Sequence, residues 1–551
     1  MRKPKQQNGI TALAVAGTYV VYLGWDIDKA LCQDLRGFAI RRDDLTEGEK
    51  YWLRGMKSFP NMLLPPGGDA SSLEQPYQTF QWGDYTAKEK HTYRYTIVPM
   101  YGKPCALEQG PSLTIEVSTE DQSQGMHAVY FNRGATASQE YARRFHNRKP
   151  SDIGPAAYQW LSRGLEEAIL SFIARAEDAT YTLHAAIYEF QWPSVLNALR
   201  DAKDRGATVE VVYDGIENAA HNPVAPNEKA IAAGKIKSIT TAFTDGKIMH
   251  NKFLVLSRNH KPQAVLLGST NITENGIFGH LNCAHVVNDL NLAAAYEEYW
   301  HQLCSDPGSR ALKSYIGKAT PTPQSPPPKG ITPQFSPQRG DTTLDVYGEI
   351  AGLAKRGLFM TFAFGMNDVF KHVYEQDDEV LRFALMEKEG NGAGLAQGRI
   401  DIARIRKRPN VLVAVGHNVV ANVFDRWLKE ISSPVDKANV RWVHTKFMLV
   451  DPLDNDPIVV TGSANFSKAS TDTNEENMII IRGDRRVADI YFGEFMRSYA
   501  HYAFREALAI HKLRGGQPGD WKPQDLDPGV GWLKRYTTGD GELRRLYFSG
   551  Q

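Results

Sequence analysis

The sequence predicts an α/β protein built on an internal duplication, with a β-sandwich ahead of it. Three observations carry this. Residues 1 to about 120 are dense in β-branched and aromatic runs separated by Gly, Pro and Asp turns. From about residue 126 strand and helix signals alternate. A segment of 24 residues then occurs twice, once in each half of this region. At 551 residues the chain exceeds one ordinary domain, and two to four are expected.

In the first region, strands are expected at Tyr19–Trp25, Gly37–Arg42, Tyr77–Trp82, Thr92–Pro99 and Ser112–Ser118. The apolar stretch Ile10–Leu23 follows Arg2, Lys3 and Lys5, the outline of a signal peptide. Gly17 and Thr18 interrupt it, and Ala14 and Ala16 come too early for a cleavage site, so one strand or a pair is expected. Short strands at this density suggest a sandwich over residues 1–120. Their spacing and the Tyr93-x-Tyr95 strand resemble a fibronectin type III module. That resemblance implies a spacer or a platform for a protein partner, with no chemistry of its own.

Residues 126–318 form the first α/β unit. A helix is expected over Ala157–Ala176, a strand over Tyr181–Tyr188, a helix over Val195–Arg205 stopped at Gly206, and a strand over Val209–Tyr213. Such alternation predicts a largely parallel sheet covered by helices. Residues 319–337, with Pro326-Pro327-Pro328, read as an extended linker or surface strap. The order resumes over 338–515: helix Leu344–Lys355, strands Leu358–Phe364, Val380–Leu385 and Val411–Val415, helix Val420–Glu430. Residues 516–551, rich in Gly, Pro and Asp, are expected to wrap the surface.

Composition narrows the function classes. Hydrophobic content of 42% and charged content of 23% are those of a globular protein with a substantial core. Lys+Arg 64 against Asp+Glu 63 leaves +1, so contact with nucleic acid or anionic lipid must come from local patches. Cys32, Cys105, Cys283 and Cys304 lack metal-like spacing and read as reduced, packed thiols of a cytoplasmic protein. No apolar run is long enough to predict a transmembrane helix or stable membrane association. No His, Asp or Glu cluster has clear metal-ligand spacing, so neither metal nor cofactor is expected.

The duplicated segment holds the chemistry. HNKFLVLSRNHKPQAVLLGSTNIT starts at His250 and HTKFMLVDPLDNDPIVVTGSANFS at His444; they align without a gap, with seven identities. His and Lys at i and i+2 on an extended chain face the same side. The apolar runs Phe253–Leu256 and Phe447–Val450 suit buried central strands, and Ala264–Leu267 and Ile458–Val460 are second strands. The latter end in Gly268-Ser269-Thr270-Asn271 and Gly462-Ser463-Ala464-Asn465. If the paired strands are neighbours, His, Lys, Ser and Asn converge at one rim. A phosphodiester repels anionic nucleophiles and has a poor leaving group. Two imidazoles can act as nucleophile and acid, while two Lys and two Asn cradle the non-bridging oxygens.

These motifs resemble the phospholipase D superfamily, whose signature is His-x-Lys-x4-Asp followed by Gly-Ser-x-Asn. The second copy matches throughout with His444, Lys446, Asp451, Gly462, Ser463 and Asn465, then Asn474-Glu475-Glu476-Asn477, similar to the ending of nuclease-like members. The first keeps His250, Lys252, Gly268, Ser269 and Asn271 but has Ser257 at the Asp position. With a two-residue insertion, Ala284 falls at the Glu position. The resemblance covers residues 126 to 515. It implies two phospholipase D-like α/β/α repeats forming a pseudo-dimer with one shared active site, no further oligomer being required. It also implies a metal-independent phosphohistidine mechanism. In that mechanism His250 attacks, His444 protonates the leaving oxygen, and Glu476 or its neighbour Glu475 orients His250 from the opposite half. On this reading the first half, with Ala284, lacks the acid that would orient His444, and Ser257 affects only packing.

Nucleic acid is the expected substrate, DNA or RNA. The basic clusters Arg143/Arg144/Arg148/Lys149 and Arg399/Arg404/Arg406/Lys407/Arg408 are candidate phosphate contacts, with a solvated face the other reading of each. Tyr188, Phe190, Trp192, Phe362, Phe364 and Trp442 are candidates for base stacking, or core. His417 and Asn418 mark a substrate contact or a helix start. The alternatives are a phospholipase or phosphatidyl transferase, and a module that binds phosphate without cleaving it.

Overall fold

The computed structural model describes residues 1–60, 62, 64, 68–217, 222–340, 342–390, 392–416, 443–513 and 525–551. The expected helix Val420–Glu430, His417, Asn418 and Trp442 lie outside the described residues.

The first region is an antiparallel sandwich. One sheet has the order β1 (Arg2–Gln7), β2 (Ile10–Ala16), β3 (Val21–Ile27), β8 (Gln81–Asp84). The other is built on β4 (Gly37–Asp44), β5 (Lys50–Trp52), β9 (Thr92–Lys103), β10 (Ala106–Gln109) and β11 (Leu113–Ser118), with β10 and β11 both on β9. The short strands β6 (Arg54–Gly55) and β7 (Ala70–Ser71) pair separately. Ile10–Leu23 thus becomes a hairpin. Alternate residues of both sheets bury Trp25, Phe38, Tyr93, Tyr95 and Ile97 between them.

Each repeat is a seven-stranded sheet. The first has the order β12 (His127–Phe131), β18 (Cys283–Val287), β17 (Lys261–Gly268), β16 (Lys252–Arg258), β13 (Tyr181–Ile187), β14 (Thr208–Asp214), β15 (Thr240–Phe243). The second runs β19 (Gly330–Ser336), β25 (Glu476–Arg482), β24 (Ile458–Gly462), β23 (Phe447–Val450), β20 (Gly357–Phe362), β21 (Leu381–Met386), β22 (Val411–Val415). The two orders superimpose strand for strand. Helices pack on both faces of each sheet, giving α/β/α layers.

The sheets are mixed rather than largely parallel. Only β13–β14–β15 and β20–β21–β22 are parallel; the other pairings are antiparallel. The motif strands join through short turns instead of crossover helices. Between β16 and β17, Asn259 and His260 both take positive φ (49° and 60°), the two-residue turn that suits antiparallel twist.

Further expectations are corrected. Ala157–Ala176 is two helices, α1 (Pro155–Ser162) and α2 (Leu165–Ala174). The break falls at Arg163 and Gly164, both left-handed (φ 50° and 93°). The Pro-rich linker contributes β19, the edge strand of the second sheet, where Pro333 is tolerated because only one side must be paired. The C-terminal segment packs in rather than wrapping round. Trp532 and Tyr536 enter the sandwich core. Tyr547 and Phe548, on a helix over Gly539–Ser549, join the core shared with both repeats. That helix lies so close to β3 that a Cβ at Gly24 would sit 2.1 Å from the Phe548 carbonyl. The sandwich is therefore docked on the α/β body, not held off as a spacer. All four cysteines are free thiols, and Cys105 is exposed rather than packed.

The repeats are bound by two long helices. α3 (Leu290–Ser305) of the first touches β19 of the second, stacking Tyr299 on Phe335 at 4.2 Å. α4 (Arg485–Leu513) of the second reaches back to β12 of the first. No helix of the described residues is long and apolar enough to cross a membrane.

Candidate active site

The two motifs meet where the repeats face each other. Each histidine lies just ahead of its strand, and each is stitched to the opposite repeat by its own backbone. The His250 N–H donates to the Glu475 carbonyl at 2.9 Å, and the His444 N–H to the Leu281 carbonyl at 3.2 Å. The two imidazole centroids are 6.5 Å apart. Gly-Ser-x-Asn closes the rim from the neighbouring strand. A Cβ at Gly268 would sit 2.3 Å from the Cys283 carbonyl, and one at Gly462 2.2 Å from that of Asn477. Only glycine lets β17 and β24 end this close to β18 and β25.

The orienting groups also come from opposite halves. His250 Nδ1 lies 2.8 Å from Glu476 Oε2, and Ser463 Oγ donates to the same oxygen at 2.7 Å. His444 Nδ1 lies 2.9 Å from Asn282 Oδ1, and Ser269 Oγ donates to that oxygen at 2.8 Å. Asn282, not Ala284, therefore matches Glu476. Both stand 13 positions after their serine, with no insertion between the halves. Ala284 pairs with Gly268 as Met478 pairs with Gly462. The first half has not lost its orienting group; it carries an amide oxygen in place of a carboxylate.

Of the two candidate acids, Glu476 faces His250. Glu475 meets it only through its backbone, and both its carboxylate oxygens are buried without a hydrogen-bond partner. Burial, then Asp214 and Glu476, pushes Glu475 well above the usual carboxylate range. Its counterpart in the first half is Leu281.

Lys252 and Lys446 each donate back to the carbonyl of their own histidine, at 2.7 and 2.5 Å. Lys252 also lies 5.1 Å from the centre of the Tyr188 ring, which packs edge-on against His250. Asn271 donates to Glu189. Asp451 is not at the site. It sits at the far end of β23, where it accepts the N–H groups of Lys355, Arg356 and Gly357 at 2.8–3.1 Å. Its role is to cap that turn, which Ser257 at the same position does not repeat.

Two carboxylates at strand ends escape the sequence reading. Asp214, ending β14, accepts the Met249 N–H at 3.0 Å; Glu387, just past β21, accepts the Val443 N–H at 2.9 Å. Each fixes the residue before a motif histidine. His280 is a third missed group, its ring centroid 5.5 Å from that of His444.

Burial dominates the electrostatics. It pushes His250 down to about 4 against the opposing pull of Glu476, and His444 well below the usual imidazole range, with Lys446 and His280 adding to the effect. Lys252 is pushed down to about 8 by burial, and Lys446 well below the usual lysine range. The site is thus short of negative charge, which a bound phosphate would supply. An anion raises the lysine and histidine values, so its binding must draw in protons. Calorimetric titration of inorganic phosphate at pH 8, in two buffers of different ionisation enthalpy, is expected to show proton uptake. Affinity should weaken as pH rises further and Lys252 loses its proton.

The expected outer contacts are less uniform. Arg404 is paired with Glu375 (2.6 Å), Arg408 with Asp377 (3.1 Å), and Arg406 with Glu506. That cluster is largely neutralised. Arg144 pairs with Glu140 at 2.8 Å. Phe190 and Phe362 are core residues, whereas Trp192 and Phe364 are half-buried. A cleft of about 840 Å³ opens beside Asn465 and Asn474, lined by Asn367, Lys371, His372 and Gln397 among others.

Residues 169–304 and 410–499 match the family model described as cardiolipin synthase, PLD-like domain. The chain carries a phospholipase D-like domain in two parts, one in each repeat. Among solved structures it is similar to the phosphatidylserine synthase of Haemophilus influenzae Rd KW20, at 11% identity, covering 64% of this chain and 92% of that one, TM-score 0.41. Polyphosphate kinase from Porphyromonas gingivalis is similar at 13% identity, over 57% of this chain and 42% of that one, TM-score 0.35. This chain thus spans less than half of that kinase. Nuc, a phospholipase D family member from Salmonella typhimurium, is 26% identical over 26% of this chain and 87% of that one, TM-score 0.21. No curated protein matches the sequence.

Proposed function

We propose that the chain is a phosphodiesterase that cleaves nucleic acid through a phosphohistidine on His250, with Lys252 and Lys446 in place of a metal ion. The observation that carries this reading is the crossed pair of imidazoles, 6.5 Å apart, each held through Nδ1 by the opposite repeat. With Nδ1–H donated to Glu476, His250 keeps its lone pair on Nε2 for attack. The P–N bond forms as the P–O bond breaks, and His444, which takes up a proton on Nε2 when the anionic substrate binds, gives that proton to the leaving oxygen. Water then loses a proton to His444 and attacks phosphorus. The P–N bond breaks, freeing His250. The two lysines neutralise the non-bridging oxygens through both steps.

Glu476 and Asn282 suit these unequal roles. A carboxylate behind His250 supports the positive charge that its ring gains on attack. A neutral amide behind His444 leaves that imidazolium a strong acid.

Purified protein in EDTA, offered single- and double-stranded DNA, RNA and phosphatidylcholine vesicles, tests the reading. Cleavage of nucleic acid, lost in His250→Ala, is expected. Choline release alone would transfer the substrate to lipids. Binding without turnover would make the chain a phosphate-binding module.

A further inference from the structure

Away from the cleavage site, the first repeat gathers a second set of donors between α3 and the sheet. His184, on β13, is buried and lies flat on the indole of Trp300, with centroids 3.7 Å apart and planes at 2°. Its ring is held between two carboxylates. Nδ1 is 2.9 Å from Glu297 Oε1, and Nε2 is 3.1 Å from Glu210 Oε2 on β14. His301 follows Glu297 by four residues on α3, so both side chains emerge on one helix face. The His301 ring is 5.4 Å from that of His184. The donor atoms of His184, Glu297 and His301 all lie within 4.8 Å of one another. Oε2 of Glu297 is buried with no hydrogen-bond partner. A carboxylate oxygen left so is costly, and a cation at this point would satisfy it.

We propose that His184, Glu297 and His301 bind a divalent cation of the zinc type. Two imidazoles and one carboxylate, with a water completing the tetrahedron, match the donor preference of that ion. Magnesium and calcium favour oxygen donors throughout. His184 would bind through Nδ1, beside Glu297, while Nε2–H donates to Glu210. That carboxylate–imidazole–metal arrangement fixes the tautomer and the ring plane. The ion would pin α3 across β13 and β14. From His184 the strand runs through Ala185, Ala186 and Ile187 to Tyr188, which packs on His250. The site is distinct from the cleavage site.

The test is a Co²⁺ titration of chelator-stripped full-length protein, followed by Zn²⁺ competition and thermal melts. Wild type is expected to take one Co²⁺ per chain with the visible absorption of a tetrahedral site, to lose it to Zn²⁺, and to melt higher with Zn²⁺. His301 is exposed, so His301→Ala should keep its fold by circular dichroism. It should lose the tetrahedral spectrum and weaken Zn²⁺ binding at least about tenfold. Glu297→Gln should do the same. Absence of a tetrahedral spectrum in wild type, or unchanged stoichiometry and affinity in both variants, would overturn the proposal.

Discussion

His250→Ala is expected to lower turnover of bis(4-nitrophenyl) phosphate by on the order of ten-thousand-fold or more, and to leave no covalent phosphate on the protein. The second histidine variant separates the two roles. Nitrophenolate departs without being protonated, so His444→Ala should still transfer the phosphoryl group to His250. It should then stall, because nothing activates water for the second step. A burst of about one nitrophenolate per chain, with an acid-labile, base-stable phosphoprotein, is the expected signature. A trapped adduct in His250→Ala and none in His444→Ala would exchange the two assignments. The asymmetry of the orienting groups is what makes the order predictable: the carboxylate of Glu476 stands behind one ring and the amide of Asn282 behind the other.

The largest expected effect on stability lies at Glu494, buried on α4. Arg163, at the break between α1 and α2, donates to one of its oxygens, and Arg497 Nε to the other at 2.8 Å. Arg497 also reaches the Asn132 carbonyl at 3.0 Å, and the Arg163 guanidinium stacks 4.8 Å from the Tyr19 ring of the sandwich. One carboxylate thus neutralises two buried cations where sandwich, first repeat and second repeat meet. Burial opposes its charge, yet the two guanidiniums prevail and hold it below the usual carboxylate range. Glu494→Gln strands two buried guanidiniums and is expected to cost about 3–5 kcal/mol in urea unfolding at neutral pH. A carboxyl depressed on folding adds stability above its unfolded value, lost as pH falls through the folded one. The gap between variant and wild type should therefore narrow in acid. A loss under about 1 kcal/mol at neutral pH would show the cluster to be dispensable.

What was legible in the sequence was local. Equal spacing in two copies located His250, Lys252, His444 and Lys446, and the strand pairs that carry them, because an i, i+2 pattern on an apolar strand has one sense in three dimensions. Glu476 followed from the second copy. Asn282 did not, because the motif is defined by a carboxylate and here an amide fills the same place with the same acceptor atom. Asp214 and Glu387 were invisible for another reason. Each is a single acid at the end of a strand, and its partner is a backbone N–H about 35 to 56 positions away. The parallel-sheet expectation failed because strand-helix alternation dominates the first half of each repeat, while the hairpins in the second half set most of the pairings. The C-terminal segment looked loose by its Gly, Pro and Asp content. Four aromatics, Trp532, Tyr536, Tyr547 and Phe548, anchor it, and burying each contributes about 2 kcal/mol.

The difference between Glu476 and Asn282 also bears on the geometry of the cut. A site with true two-fold symmetry accepts a phosphodiester in either direction, and either ester oxygen may leave. Under the proposed chemistry this chain has one face that attacks and one that releases. A nucleic acid strand would have to thread through with a single polarity. Every break would then leave its phosphate on the same side, so the fragments would have uniform ends rather than a mixture.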